Sequence, residues 1–191
     1  ERSTYQGRHP FGDMLAEKAI ALGGLHLARA CEAPDDLEAR EGMALAATLG
    51  GMAFSNVGVA LVHALEYPVG GAVHCSHGAG NGLLLPYVMR YNLPARRREF
   101  ARIAQLLMPE RFSAGRALAQ TEESAAAEAA ITEIERLRAA IGIPHRLREL
   151  GAKPEQLRTF AEKAFGVKRI LRVNPRVPTV DDLEEILRAA Y

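Results

Sequence analysis

FSNVGVALVHALEYPVGGAVHCSHGAGNGLLLPYVMRY, residues 54–91, holds two apolar runs separated by a Pro/Gly-rich interruption. Phe54 to Leu65 is apolar on nearly every face, which predicts a central helix rather than a surface one. Gly78 to Tyr91 is again apolar throughout and predicts another, with Pro86 marking a kink or a fresh helix start. Pro68, Gly70 and Gly71 lie between them, residues that break a helix and let the chain reverse. The interruption matters because of two histidines. On one continuous helix His63 and His77 would sit roughly 21 Å apart. No ion with bonds of about 2 Å to imidazole nitrogen could join them. A reversal at Pro68–Gly71 brings both rings to one point and makes them candidate metal ligands. Neutral imidazole suits Zn(II) and Fe(II) alike, so residue type does not choose the ion. Two histidines make an incomplete site.

Outward from this segment the pattern stays helical. Residues 1–12 are polar and turn-rich (Gly7, Pro10, Gly12) and read as a loop or frayed stub. A helix is expected from Asp13, an N-cap candidate, towards Cys31. Pro34-Asp35-Asp36 caps the next, whose small residues (Ala44, Ala46, Ala47, Gly50, Gly51) predict a buried stretch. Further helices are expected from Arg96 to about Leu107, stopped by Pro109, and from Ser124 to Ile141 with Ile131, Ile134, Leu137 and Ile141 on one face. Gly142 and Pro144 end that helix. Arg146 to Leu150 reads as a short helix closed by Gly151, and Pro154 opens one reaching Phe165. Thr179-Val-Asp-Asp182 is a capping box for a last helix over 180–190. Val167 to Val173 is a weak strand candidate and reads as a loop. The fold class is all-α, a compact multi-helix bundle, with 13–191 as a single helical metal-binding domain.

Composition narrows the function. The 191 residues carry 24 Lys and Arg against 23 Asp and Glu, so no whole-chain field favours nucleic acid or an acidic membrane. Tryptophan is absent and alanine abundant, which favours close-packed helices. No apolar run approaches the ~18 residues of a membrane span. Two cysteines, Cys31 and Cys75, make no disulfide framework, and a reducing cytoplasm is the expected setting. A homodimer is the generic expectation for the assembly.

Other chemistry-bearing residues have plainer readings. His63 alone, on an apolar helix, reads as a hydrogen-bonded core histidine; the second histidine changes that. His74 and His77 form an H-x-x-H, yet His74 falls in the expected loop. Cys75 stands two residues from His77. Gly78-Ala-Gly-Asn-Gly82 lacks the last glycine of G-x-G-x-x-G and follows no strand, so it is no dinucleotide fingerprint. Glu38, Glu41, Asp181, Asp182, Glu184 and Glu185 occupy cap or surface positions.

Gly51-Met-Ala-Phe-Ser-Asn56, His63-Ala-Leu-Glu-Tyr-Pro-Val-Gly-Gly71, His77-Gly78, Asn81 and Leu84-Leu85-Pro86 resemble the iron-containing (group III) alcohol dehydrogenases. Asn174-Pro-Arg176, with Thr179 and Asp182, is similar to the close of the same family. The resemblance covers the family's helical C-terminal half, the dehydroquinate synthase-like architecture. It implies an ion, Fe(II) or Zn(II), held by one Asp and three His, with His63 and His77 matching the last two. The other two would come from an Asp-x-x-x-His pair before residue 1, and NAD or NADP from an N-terminal nucleotide-binding domain not present in the chain. Many members carry histidine where Tyr67 stands, near the meeting point of nicotinamide and substrate, so Tyr67 is a second-line catalytic candidate. The implied reaction polarises the oxygen of a small alcohol or aldehyde for hydride transfer, with no turnover from this truncated chain alone. A dehydroquinate synthase-like lyase domain and a non-catalytic helical fragment are the alternatives.

Overall fold

The computed structural model of the chain describes residues 8–112 and 117–191. Its helices are α1 (Pro10–Glu32), α2 (Leu37–Val57), α3 (Leu61–Val73), α4 (His77–Asn92), α5 (Arg97–Leu107), α6 (Pro109–Phe112), α7 (Gln120–Ala140), α8 (Leu157–Gly166), α9 (Lys168–Leu171) and α10 (Val180–Ala190). Short 3-10 turns cover Leu93–Ala95, Leu147–Leu150 and Pro154–Gln156. Among the described residues there is no strand, so the all-α expectation holds. No single helix among them is long and apolar enough to cross a membrane. The chain forms two compact units, one from residues 8–58 and 96–141, the other from Val59–Ala95 and Gly142–Tyr191. Of the N-terminal stub, residues 1–7 lie outside the described residues.

In the first unit, α1 starts at Pro10, ahead of the expected Asp13. His9 is the N-cap, its Nδ1 accepting the Gly12 N–H at 3.1 Å, and Pro10 takes the position where a missing N–H is harmless. Asp13 then lies in the first turn, where its charge suits the helix dipole. Asp36 caps α2 as expected, accepting the Ala39 N–H at 3.0 Å while Arg29 pairs with its other oxygen at 2.7 Å. The backbone hydrogen bond first, then Arg29, hold its carboxyl below the usual carboxylate range. Burial along α2 is narrower than its small residues suggested. Only Ala39, Ala46 and Ala53 are buried, one stripe spaced by seven that meets α1, while Ala44 and Ala47 face outward. Helix α7 begins at Gln120 rather than Ser124, because the Glu122 carboxylate accepts the Ala119 N–H at 2.9 Å and holds an earlier turn. Its buried face is Ala126, Ala127, Ala130, Ile131 and Leu137, whereas Ile134 and Ile141 are only partly covered.

The second unit is built on leucine. Leu61, Leu65, Leu83, Leu84, Leu147, Leu157, Leu183 and Leu187 are all fully buried in one cluster. Truncating one such leucine to alanine costs about 2–5 kcal/mol, a large part of a domain's stability. Thr179 and Asp182 make the expected box at the start of α10, each side chain accepting the other's N–H, at 3.1 and 2.7 Å. Asn92 and Asn174, both buried, exchange amide hydrogen bonds at 3.0 and 2.9 Å. The segment read as a loop, Val167 to Val173, contains α9, whose Ile170 and Leu171 are buried in the leucine cluster.

Three expectations about residues 54–91 are corrected. The helix expected across Phe54–Leu65 is broken: α2 ends at Gly58, whose φ of 85° favours glycine, and α3 starts at Leu61. Pro68 does not end a helix. It lies inside α3, which runs on to Val73 because Ala64, Leu65, Val69 and Gly70 are buried around it and their packing offsets the lost backbone hydrogen bond. The reversal comes later, at His74, which takes the left-handed conformation (φ 55°, ψ 34°) and caps α3. Helix α4 likewise runs unbroken through the buried Pro86.

Candidate functional site

Helix α3 sets His63, Glu66, Tyr67 and Gly70 at intervals of three and four residues, which places them along one side. Residues 74–76 then return the chain. Ser76 caps α4 through its hydroxyl, which accepts the Ala79 N–H at 3.3 Å, so that His77 is the first helical residue. The centres of the His63 and His77 rings lie 5.2 Å apart. Tyr67 completes the group, 6.5 Å edge-on from His63 and 6.0 Å from His77 at an interplanar angle of 22°. The sequence-predicted residues His63, His77 and Tyr67 are therefore neighbours, although the chain turns at His74 rather than at Pro68–Gly71.

The two imidazoles differ electrostatically. Burial first, then the neighbouring His77, push the His63 imidazole below its ordinary value. It therefore stays neutral, with a free lone pair, further into acid than a solvated histidine. His77 is half exposed but held at both nitrogens. Its Nδ1 is 2.6 Å from the Glu66 carboxylate, and its Nε2 is 3.0 Å from Nδ2 of Asn81. A carboxylate only accepts, so the Nδ1 proton is donated to Glu66; an amide nitrogen only donates, so Nε2 presents its lone pair.

Glu66 is the residue that the sequence reading passed over. It is 4% exposed, a buried carboxylate between α3 and α4. Two glycines make room for it. A Cβ at Gly70 would fall 2.3 Å from Glu66 Oε1, and one at Gly80 would fall 2.8 Å from Glu66 Cγ. Gly80, within the Gly78–Gly82 segment, thus admits this side chain. A sequence signal existed: Glu66 is the one carboxylate between Asn56 and Tyr91. His74 is exposed, and its place is explained by the left-handed cap. Burial first, then Glu66, push the Cys75 thiol up, away from the thiolate that binds metal. Among the described residues no three His, Cys, Asp or Glu side chains converge as ligands for one ion.

Comparison with known proteins places this geometry in context. The Fe-containing alcohol dehydrogenase family, C-terminal part, matches residues 4–191. Over 190 residues the chain is 37% identical to the NAD-dependent methanol dehydrogenase of Bacillus methanolicus, covering 100% of this chain and 48% of that protein. It is 38% identical over 183 residues to the 1,3-propanediol dehydrogenase of Klebsiella pneumoniae, covering 96% of this chain and 45% of that one. The crystal structure of a 1,3-propanediol oxidoreductase aligns with a TM-score of 0.88 at 37% identity, over 100% of this chain and 48% of the other. The chain thus spans about half the length of the curated relatives it matches.

Proposed function

Because this chain belongs to the Fe-containing alcohol dehydrogenase family, as its C-terminal part, we propose that it is the metal-binding, substrate-side half of an NAD(P)-dependent alcohol dehydrogenase or aldehyde reductase. The observation that carries the reading is the 5.2 Å between the His63 and His77 rings. Two imidazoles bound through nitrogen to one tetrahedral ion, at about 2.05 Å each, have ring centres about 5 Å apart. The donor chemistry also fits. His63 stays neutral further into acid than a solvated histidine, and His77, with its Nδ1 proton directed at Glu66, has Nε2 as its ligating nitrogen. His63 and His77 would hold Fe(II) or Zn(II), with a carboxylate and a third histidine supplied from outside this chain.

When bound, the ion supplies Lewis-acid polarisation of an alcohol or carbonyl oxygen, while the nicotinamide of NAD or NADP carries the hydride. The chain's own residues orient and protect. Tyr67, 46% exposed and beside both histidines, offers a phenol O–H to a small substrate's oxygen. The names of the relatives, a methanol and a 1,3-propanediol dehydrogenase, favour small primary alcohols and their aldehydes as substrates. The two free thiols suit a reducing cytoplasm, and the balanced charge gives no reason to expect nucleic acid or membrane as partner; a homodimer is the simplest assembly.

The test has two arms. With a nucleotide-binding half fused ahead of residue 1, His63→Ala and His77→Ala each abolish bound metal and alcohol-dependent nicotinamide reduction together, while His74→Ala retains both. Full activity in His63→Ala would refute the assignment.

A further inference from the structure

A carboxylate only 4% exposed needs a reason. Burying it without a partner is costly, and here its partner is a histidine whose own side chain is 56% exposed. The slot around it is specific. Gly70 on α3 and Gly80 on α4 leave room for the carboxylate and its stem, and no larger residue would fit at either place with Glu66 where it is. Glu66 Oε2 reaches His77 Nδ1 at 2.6 Å, a short charge-assisted contact, whereas Asn81 reaches Nε2 at 3.0 Å as a neutral amide. Which imidazole nitrogen carries the proton is set by the partner of the other nitrogen.

We infer that Glu66 is a positioning residue: from its glycine-walled slot it fixes His77 in the Nδ1–H form and reserves the Nε2 lone pair for the ion. The inference rests on the reading of His77 as a ligand. Asn81 occupies Nε2 only as a neutral donor and yields it when an ion binds. Glu66 itself touches neither ion nor substrate; it acts through His77.

Nitrogen NMR on the full 191-residue chain with labelled histidine, at alkaline pH and without metal, reads the tautomer directly. The expected result is a protonated Nδ1 and an unprotonated Nε2 at His77. Glu66→Ala removes the Nδ1 acceptor, so the Asn81 amide turns its unpartnered Oδ1 to accept from Nε2 and the proton moves there. Glu66→Gln keeps it on Nδ1 because the amide oxygen still accepts, and Asn81→Ala leaves it on Nδ1. Should Glu66→Ala unfold the chain, Gly70→Ala displaces the carboxylate without removing it and shifts the tautomer the same way. Titration with zinc alone gives the second readout: Glu66→Ala weakens binding 10- to 100-fold, and Glu66→Gln weakens it less. An unchanged tautomer in Glu66→Ala, or zinc affinity within twofold of the unaltered chain, overturns the positioning role. Failure of zinc to move the His63 and His77 signals in the unaltered chain overturns instead the ligand reading beneath it, whatever the tautomer.

Discussion

At the scale of single residues, His63 and His77 form an asymmetric pair. His63 owes its depressed proton affinity chiefly to burial and then to His77. Its folded-state value therefore lies below the ordinary one of about 6.5. Between those two values the unfolded chain binds more protons than the folded chain, so stability rises with pH across that window. The contribution is complete above about 6.5 and is lost as pH falls towards the folded value. Urea midpoints measured from pH 7 downward should fall through this window, and His63→Gln should flatten that slope. The histidines were legible in the sequence because their spacing across a helix-breaking segment is unusual. Glu66 was not, since a lone glutamate in an apolar run reads as a side chain turned to solvent. Only the packing of two glycines against it reveals a buried site. Tyr67 drew notice only through the family resemblance, and the structure sets its ring 6.5 Å from that of His63.

At the scale of elements, the Asp36 and Thr179–Asp182 caps and the stops before Pro109 and Gly142 read correctly, whereas the Asp13 cap and the Pro68 stop did not. Asp36 and the Thr179–Asp182 box each satisfy orphan N–H groups, and both helices start where those residues direct. Pro68, taken as a stop, and Pro86, taken as a kink or fresh start, both lie inside helices because the leucine cluster around α3 and α4 outweighs the missing backbone bonds. The turn passed instead to His74, one of the polar residue types that tolerate left-handed backbone. The α3–α4 pair makes a further prediction. Alanine for Gly70 in a helix interior should stabilise by about 0.5–1 kcal/mol on propensity alone. With Glu66 present the added methyl displaces the carboxylate from His77 and should instead destabilise, by about 1–3 kcal/mol. In the Glu66→Ala background the same substitution should become neutral or stabilising. Denaturant unfolding of the four-member cycle checks this; additive effects would mean that Gly70 and Glu66 are not coupled.

At the scale of the whole molecule, the helical class was legible because capping and periodicity recur throughout the chain, while the division into two units was not. Nothing in composition marks Gly58, Ala95 or Ile141 as a boundary. The family assignment rests on a chain that spans about half the length of its relatives. The described residues hold neither a third ligand at the site nor any strand from which a nucleotide-binding turn could spring. The 191-residue chain alone, given zinc or iron and a primary alcohol, should therefore produce no reduced nicotinamide. The central claim, that His63 and His77 serve one ion, is tested most directly by zinc titration of the chain with both rings followed by NMR. One zinc per chain should shift both rings together, and removing either histidine as alanine should abolish the response of the other. Independent responses of the two rings, or a His77 response that survives His63→Ala unchanged, would contradict it.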